Sequence, residues 1–206
     1  MEQRTDAWFA ARCGKVTASR IADVVARTRS GWGASRANYM AQLIAERLVG
    51  QPAESYTNAA MQWGTEKEPE ARDAYEFFAG VEVELVGFVD HPRIAMSGAS
   101  PDGRVGDNGL VEIKCPNTAT HIDTLLSGTI ADKYIKQMQW QMACEGREFC
   151  DFVSFDPRMP IEHQIWIKRV ERDDKLIASL EADVAEFLAE VDEKIKKLNE
   201  RLEKAA

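Results

Sequence analysis

Asp102, Glu112 and Lys114 are the residues whose types and spacing most directly suggest chemistry. They lie in SGASPDGRVGDNGLVEIKCP, where GDNG is a hairpin-turn signal between two strand-like runs, Ile94–Val105 and Leu110–Cys115. Positions 102 and 112 are equidistant from a turn centred near Asp107, so their carboxylates should face each other across the hairpin. Like charges directly opposed on paired strands repel, and a divalent cation would compensate them. An oxygen-only ligand set with room for water and phosphate suits Mg²⁺ or Mn²⁺ rather than zinc. Strand alternation places Glu112 and Lys114 on one face and Ile113 on the other, with the Ile113 carbonyl offering a further ligand. Beside such a metal, the Lys114 ammonium could position or help deprotonate a water and stabilise charge on a phosphate. Asp-Gly followed about nine residues later by Glu-x-Lys thus suits metal-dependent phosphodiester hydrolysis. Taken singly, Asp-Gly is a turn signal and Glu-x-Lys is common on exposed strands. The apolar Leu110, Val111 and Ile113 favour a buried strand, in which charged groups need partners.

The elements that must position these residues follow from periodicity. Thr17–Val25 reads as a short helix, and Ser35–Val49 as a second, with Gly50 as its stop. Between them Arg27–Ser35 has the composition of a loop. A third helix is predicted from about Thr65 to Ala79, and Thr65-x-x-Glu68 fits a capping box at its start. Residues 81–90 alternate as a strand. Asn117–Ser127 and Ala131–Cys144 read as helices, Phe149–Phe155 and Ile161–Val170 as strands, and the chain from Asp173 onward as one long helix. Its stripe of Leu176, Leu180, Val184, Phe187, Val191, Ile195, Leu198 and Leu202 predicts packing on its own domain or on a partner.

At 206 residues and 45% hydrophobic content, one domain spanning 1–206, with 172–206 as its C-terminal helix, is expected. No apolar run reaches the roughly 18 residues a membrane span needs, and the first residues lack a leader pattern, so a cytoplasmic protein without membrane contact is expected. The four cysteines, Cys13, Cys115, Cys144 and Cys150, contain no C-x-x-C pair, and the three histidines are scattered. The net charge of −8 is unusual for a nucleic-acid partner, but residues 1–50 hold eight bases against four acids, whereas the segment from Arg172 holds seven against ten. A basic face can therefore exist on an acidic whole.

Five segments occur together: RCGKVTASR (12–20), GTEKEPEAR (64–72), SPDG (100–103), EIKCP (112–116) and YIKQMQWQM (134–142). In type and order they resemble the PD-(D/E)xK nucleases of the lambda exonuclease or YqaJ-like viral recombinase family. The resemblance implies an α/β fold: a restriction-endonuclease-like core with a central mixed β-sheet flanked by helices, ending here in a long helix. It makes Asp102 and Glu112 metal ligands, Lys114 the catalytic lysine and Glu68 an acidic contributor to the same site. It assigns Arg12, Ser19, Ser100 and Gln137 to a pocket for a 5′-phosphate, and Arg29 and Met61 to contact with the duplex. The implied activity is Mg²⁺-dependent 5′-to-3′ digestion of one strand of linear double-stranded DNA. Two ions are expected, with Mn²⁺ able to substitute; the products would be 5′-mononucleotides and a 3′ overhang. A ring-shaped homotrimer and a single-strand-annealing recombinase as partner are implied by the same likeness. The alternatives are an endonuclease or repair nuclease on the same core, or a non-catalytic scaffold that binds DNA ends; the absence of a distal three-cysteine cluster disfavours the iron–sulfur relatives.

Overall fold

The computed structural model describes residues 2–53 and 58–204. An unexpected helix, α1 (Asp6–Arg12), opens the fold, with the Thr5 hydroxyl accepting from the Trp8 amide at its start. The helix expected over Thr17–Val25 divides. Val16 and Thr17 form β1 (Val16–Thr17) because they pair in parallel with Ser97 and Gly98, and a 3₁₀ turn then leads into the short α2 (Ile21–Val24). The expected loop after it holds a small hairpin, β2 (Arg27–Thr28) and β3 (Gly31–Trp32). Two guanidinium groups fix that hairpin, Arg27 and Arg36 lying 3.9 and 4.0 Å from the Trp32 ring. Helix α3 (Ala34–Val49) stops at a left-handed Gly50, as its sequence predicts.

Helix α4 (Ala59–Ala79) begins well before Thr65, and its cap is Asn58, whose side chain accepts from the Met61 amide. Thr65, Glu68 and Pro69 are therefore inside the helix, and the capping role open to Glu68 in the sequence is excluded. The strand runs 81–90 and 94–105 each break in two, giving β4 (Val83–Glu84), β5 (Val89–Asp90), β6 (Ser97–Ala99) and β7 (Gly103–Val105). Alternation reports which way side chains point, not which sheet recruits them: β5 and β6 join β1, whereas β4 and β7 join the larger sheet. Then follow β8 (Gly109–Lys114), α5 (Thr118–Ser127), α6 (Asp132–Glu145), β9 (Phe149–Phe155), β10 (Ile165–Glu171) and α7 (Asp174–Glu203). Ile161–His163, expected as strand, is a 3₁₀ turn.

The larger sheet has the order β10–β9–β8–β7–β4, with β8 and β9 parallel and the remaining pairs antiparallel. Alternation along β8 feeds both layers. Leu110 packs with Met138 and Met142 of α6, while Val111 and Ile113 pack with Ala71 and Tyr75 of α4. A second core joins α2, α3, α6 and α7 through Ile21, Leu43, Trp140, Val184 and Phe187. The mixed sheet flanked by helices, with a long C-terminal helix, agrees with the α/β expectation. Along α7 the stripe is buried from Leu180 to Val191, Leu176 and Ile195 are partly buried, and Leu198 and Leu202 are exposed. Three cysteines and two histidines, His91 and His121, are buried, and no cysteine is in a disulfide. Among the described residues no helix is long and apolar enough to cross a membrane.

Candidate active site

The β7–β8 hairpin sets the geometry. Its register pairs Gly103 with Val111, Arg104 with Leu110 and Val105 with Gly109, so one step further Asp102 stands opposite Glu112. Two glycines make this possible. Gly106 turns the chain at φ +54°, and a Cβ on Gly103 would lie 2.1 Å from a Val83 methyl carbon. Asp102 is fixed by the Ile113 amide, which donates to its Oδ2 at 2.7 Å. Glu112 is 1% exposed and accepts from three side chains: Lys114, Gln137 at 2.7 Å and Gln141 at 2.6 Å. The two glutamines project from neighbouring turns of α6, the helix that covers this face of the sheet.

Burial pushes the Asp102 carboxyl well above the usual carboxylate range, with Glu112 adding to the push, Lys114 opposing it and Glu68 adding again. Burial alone would lower the Lys114 pKa, but the Glu112 and Asp102 carboxylates outweigh it and raise the net value. Lys114 is thus held as an ammonium, a donor and a positive charge rather than a proton acceptor. Among the described residues no three His, Cys, Asp or Glu side chains converge as a complete metal cage. Mg²⁺ does not need one, since it commonly takes one or two carboxylates and completes its shell with water and phosphate. The all-oxygen donor set and the unfavourable burial of negative charge on Asp102 fit such a cation.

Two adjoining clefts meet here. The first, about 780 Å³, is lined by Glu68, Asp102, Ile113, Lys114, Tyr134 and Gln137 among others. The second, about 460 Å³, is lined by Trp8, Arg12, Lys15, Arg20 and Tyr39 among others. Arg4, Ser19, Met61 and Thr65 belong to the walls of both. Asp102, Ile113, Lys114 and Glu68 therefore line one cleft, with Glu112 buried behind it and bonded to Lys114, although Glu68 is engaged by Arg4 at 2.5 Å and the three carboxylates do not converge. Of the residues assigned to a phosphate pocket, Arg12 lines the second cleft, Gln137 the first and Ser19 both, whereas Ser100 lines neither. Arg12 lies over the Trp8 ring at 3.8 Å, and the Trp8 indole donates to the Ser100 hydroxyl at 2.9 Å, which links those three. Burial lowers the Arg12 pKa to about 10, with Tyr39 and Glu46 opposing, and it remains a cation at neutral pH. Ser19 is exposed at the boundary, and Gln137 gives its amide to Glu112. Met61, 52% exposed, stands at the shared mouth, whereas Arg29 is exposed on the β2–β3 hairpin and lines neither cleft.

Sequence reasoning missed Arg4, Trp8 and Gln141. Gln141 had a signal: it follows Gln137 by one helical turn and so shares its face. Arg4 and Trp8 had none, because only the fold of the first residues across the clefts brings them there.

A family model described as the YqaJ-like viral recombinase domain matches residues 7–148. The structure is similar to that of LHK-Exo, an alkaline exonuclease from Laribacter hongkongensis, at 56% identity and a TM-score of 0.92, covering 98% of this chain and 100% of that one. The complex of LHK-Exo with dAMP gives the same values. A phage-related exonuclease from Haemophilus somnus 129PT shares the fold at 17% identity and a TM-score of 0.74, over 89% of this chain and 96% of that one. No curated protein matches. With a match to well over half its length and the acidic hairpin intact, the chain belongs to the YqaJ-like viral recombinase domain family.

Proposed function

We propose that this chain is a nuclease, and more narrowly a Mg²⁺-dependent exonuclease that degrades one strand of linear double-stranded DNA from its 5′ end. The single observation that carries the reading is Asp102 facing Glu112 beside Lys114, with Asp102 and Lys114 lining a cleft that adjoins a basic one. Asp102, Glu112, the Ile113 carbonyl and Glu68 would hold two Mg²⁺ ions, which Mn²⁺ could replace. Bound there, such ions supply Lewis-acid polarisation of a phosphoryl oxygen and a water of lowered pKa.

The chain's own groups do the rest. Lys114, kept protonated, donates to the developing charge on the scissile phosphate. Gln137 and Gln141 hold the Glu112 carboxylate so that its orientation is set before substrate arrives. Arg12, fixed on Trp8, offers a forked permanent charge to a terminal phosphate in the adjoining cleft, helped by Ser19 and Ser100. Holding the end at one cleft sets which phosphodiester reaches the other, and release of a 5′-mononucleotide follows. LHK-Exo, at 56% identity, forms a complex with dAMP, a molecule of that class. Arg29, outside the clefts, and Met61, at their shared mouth, are assigned to the duplex. A homotrimeric ring and delivery of the 3′ strand to an annealing recombinase complete the reading by family likeness.

Linear and covalently closed duplexes of the same sequence separate the exonuclease from its rivals. The proposal predicts digestion of the linear form in Mg²⁺ and an intact closed circle. Efficient cutting of the circle would instead assign an endonuclease, and end binding without hydrolysis in Mg²⁺ or Mn²⁺ a scaffold.

A further inference from the structure

Arg4 occupies an unusual position for its type. Its backbone is left-handed, at φ +65°, a conformation that costs a residue with a Cβ and that only glycine adopts freely. The segment around it is held firmly. The Gln3 amide donates to the carbonyls of Val86 and Pro101, both at 2.8 Å, which ties residue 3 to the residue preceding Asp102. On the other side Thr5 caps α1. These ties aim the Arg4 side chain at the one stretch of wall the two clefts share.

The guanidinium makes one contact there. Its Nη2 donates to Glu68 Oε2 at 2.5 Å, and its other donors have no protein partner among the described residues. The Arg4 side chain is 46% exposed, against 17% for Glu68. Glu68 also has Arg72 one turn along α4, at 3.9 Å, so Arg4 is not the sole counter-charge it could have. A forked donor with one edge spent on a carboxylate and the other open to solvent can take a phosphate on the free edge. On one side of it lie Arg12, Lys15 and Arg20, on the other Lys114 and Lys133.

We propose that Arg4 is a DNA-binding residue that grips a backbone phosphate of the strand where it passes from the basic cleft to the acidic one. The proposal rests on the nuclease reading, since it needs a strand that spans both clefts. The strained backbone is then the cost of placing a cation at the crossing. A purely structural Arg4 would gain nothing from a conformation that glycine adopts more readily.

The test is equilibrium binding of wild type, Arg4→Gly, Arg4→Ala and Arg4→Lys to a 5′-phosphorylated linear duplex. It is measured by fluorescence anisotropy in metal-free buffer across a salt series, with the melting temperature of each protein. Arg4→Gly and Arg4→Ala are expected to bind about fivefold more weakly, with the salt slope shallower by about one contact. Arg4→Lys should retain most of the affinity. Arg4→Gly, relieved of its strained backbone, should melt no lower than wild type while binding less well, a divergence that a structural role would not produce. Wild-type affinity and slope in both Arg4→Gly and Arg4→Ala would overturn the inference and leave the nuclease reading standing. Failure of the wild type itself to bind linear duplex would overturn both.

Discussion

The two clefts are built from opposite materials. The acidic one sets Asp102 and Glu68 in its walls with Lys114 and Lys133, and Glu112 buried behind Lys114, whereas the basic one holds Arg12 over the Trp8 ring and Arg20 over the Tyr39 ring, with Lys15 alongside. A net charge of −8 conceals this division. One cleft mixes carboxylates with cations and has an opposed carboxylate pair at its wall, and the other is mainly cationic, so the pair suits a polyanion bound at one end and a cation-assisted reaction at the other. Their difference in construction is equally instructive. The carboxylate pair beside the acidic cleft is organised by a local hairpin and one covering helix, although that cleft's walls reach from Arg4 to Gln137, whereas the basic cleft is walled by residues between Arg4 and Thr65.

If the acidic cleft carries the chemistry, Glu112→Gln should give the largest effect. It keeps the shape but halves the charge of the facing pair, and Mg²⁺-dependent digestion should fall on the order of 10³-fold while binding of linear duplex persists. Loss of binding alone, with turnover kept, would place the reaction elsewhere. The basic cleft is probed by Arg12→Ala. Preference for 5′-phosphorylated over 5′-hydroxyl ends should shrink by about 100-fold, read from initial rates on the two substrates, with single-turnover digestion of already bound ends less affected. An unchanged preference would remove the division of labour between the clefts.

Smaller effects sharpen the same contrast. Gln141→Leu removes a donor to Glu112 without touching the basic cleft, so activity should drop about tenfold and the Mg²⁺ requirement should rise while the 5′-phosphate preference stays constant. The last prediction concerns pH. Because the folded-state pKa of Asp102 is raised, the stability linked to its neutral form is present at low pH and is lost as pH climbs from the ordinary carboxylate value of 3.8 through the raised one. In chelator, the wild-type melting temperature should therefore fall over that interval relative to Asp102→Asn. Added Mg²⁺ should stabilise the wild type more at higher pH and Asp102→Asn little. Parallel melting curves for the two proteins would contradict the assigned burial.

The same contrast governs how much was legible in the sequence. The facing of Asp102 and Glu112 could be counted from the turn because a hairpin register is a local property, and the β7–β8 pairing follows that count. The helix start at Thr65 was misread because Thr-x-x-Glu is a capping pattern wherever it falls. The actual cap, Asn58, lies further upstream, and a proline within the helix disguised its continuity. Breaks in the 81–90 and 94–105 strands depend on which sheet takes each half, a tertiary choice that alternation does not encode. The basic cleft was the least legible for the same reason. Arg12 and Ser19 were reached through the family likeness, but the stacking of Arg12 on Trp8 and the placement of Arg4 arise only when α1 and the residues before it fold across the hairpin.

The most direct test of the account is digestion of a linear, 5′-phosphorylated duplex labelled separately at its 5′ and 3′ ends, comparing wild type with Lys114→Ala in Mg²⁺ and in chelator. Early release of the 5′ label as a mononucleotide by the wild type in Mg²⁺ is expected, with retention of the 3′ label on a single strand, and neither product from Lys114→Ala or in chelator. Near-normal digestion by Lys114→Ala, or release of the 3′ label first, would contradict it.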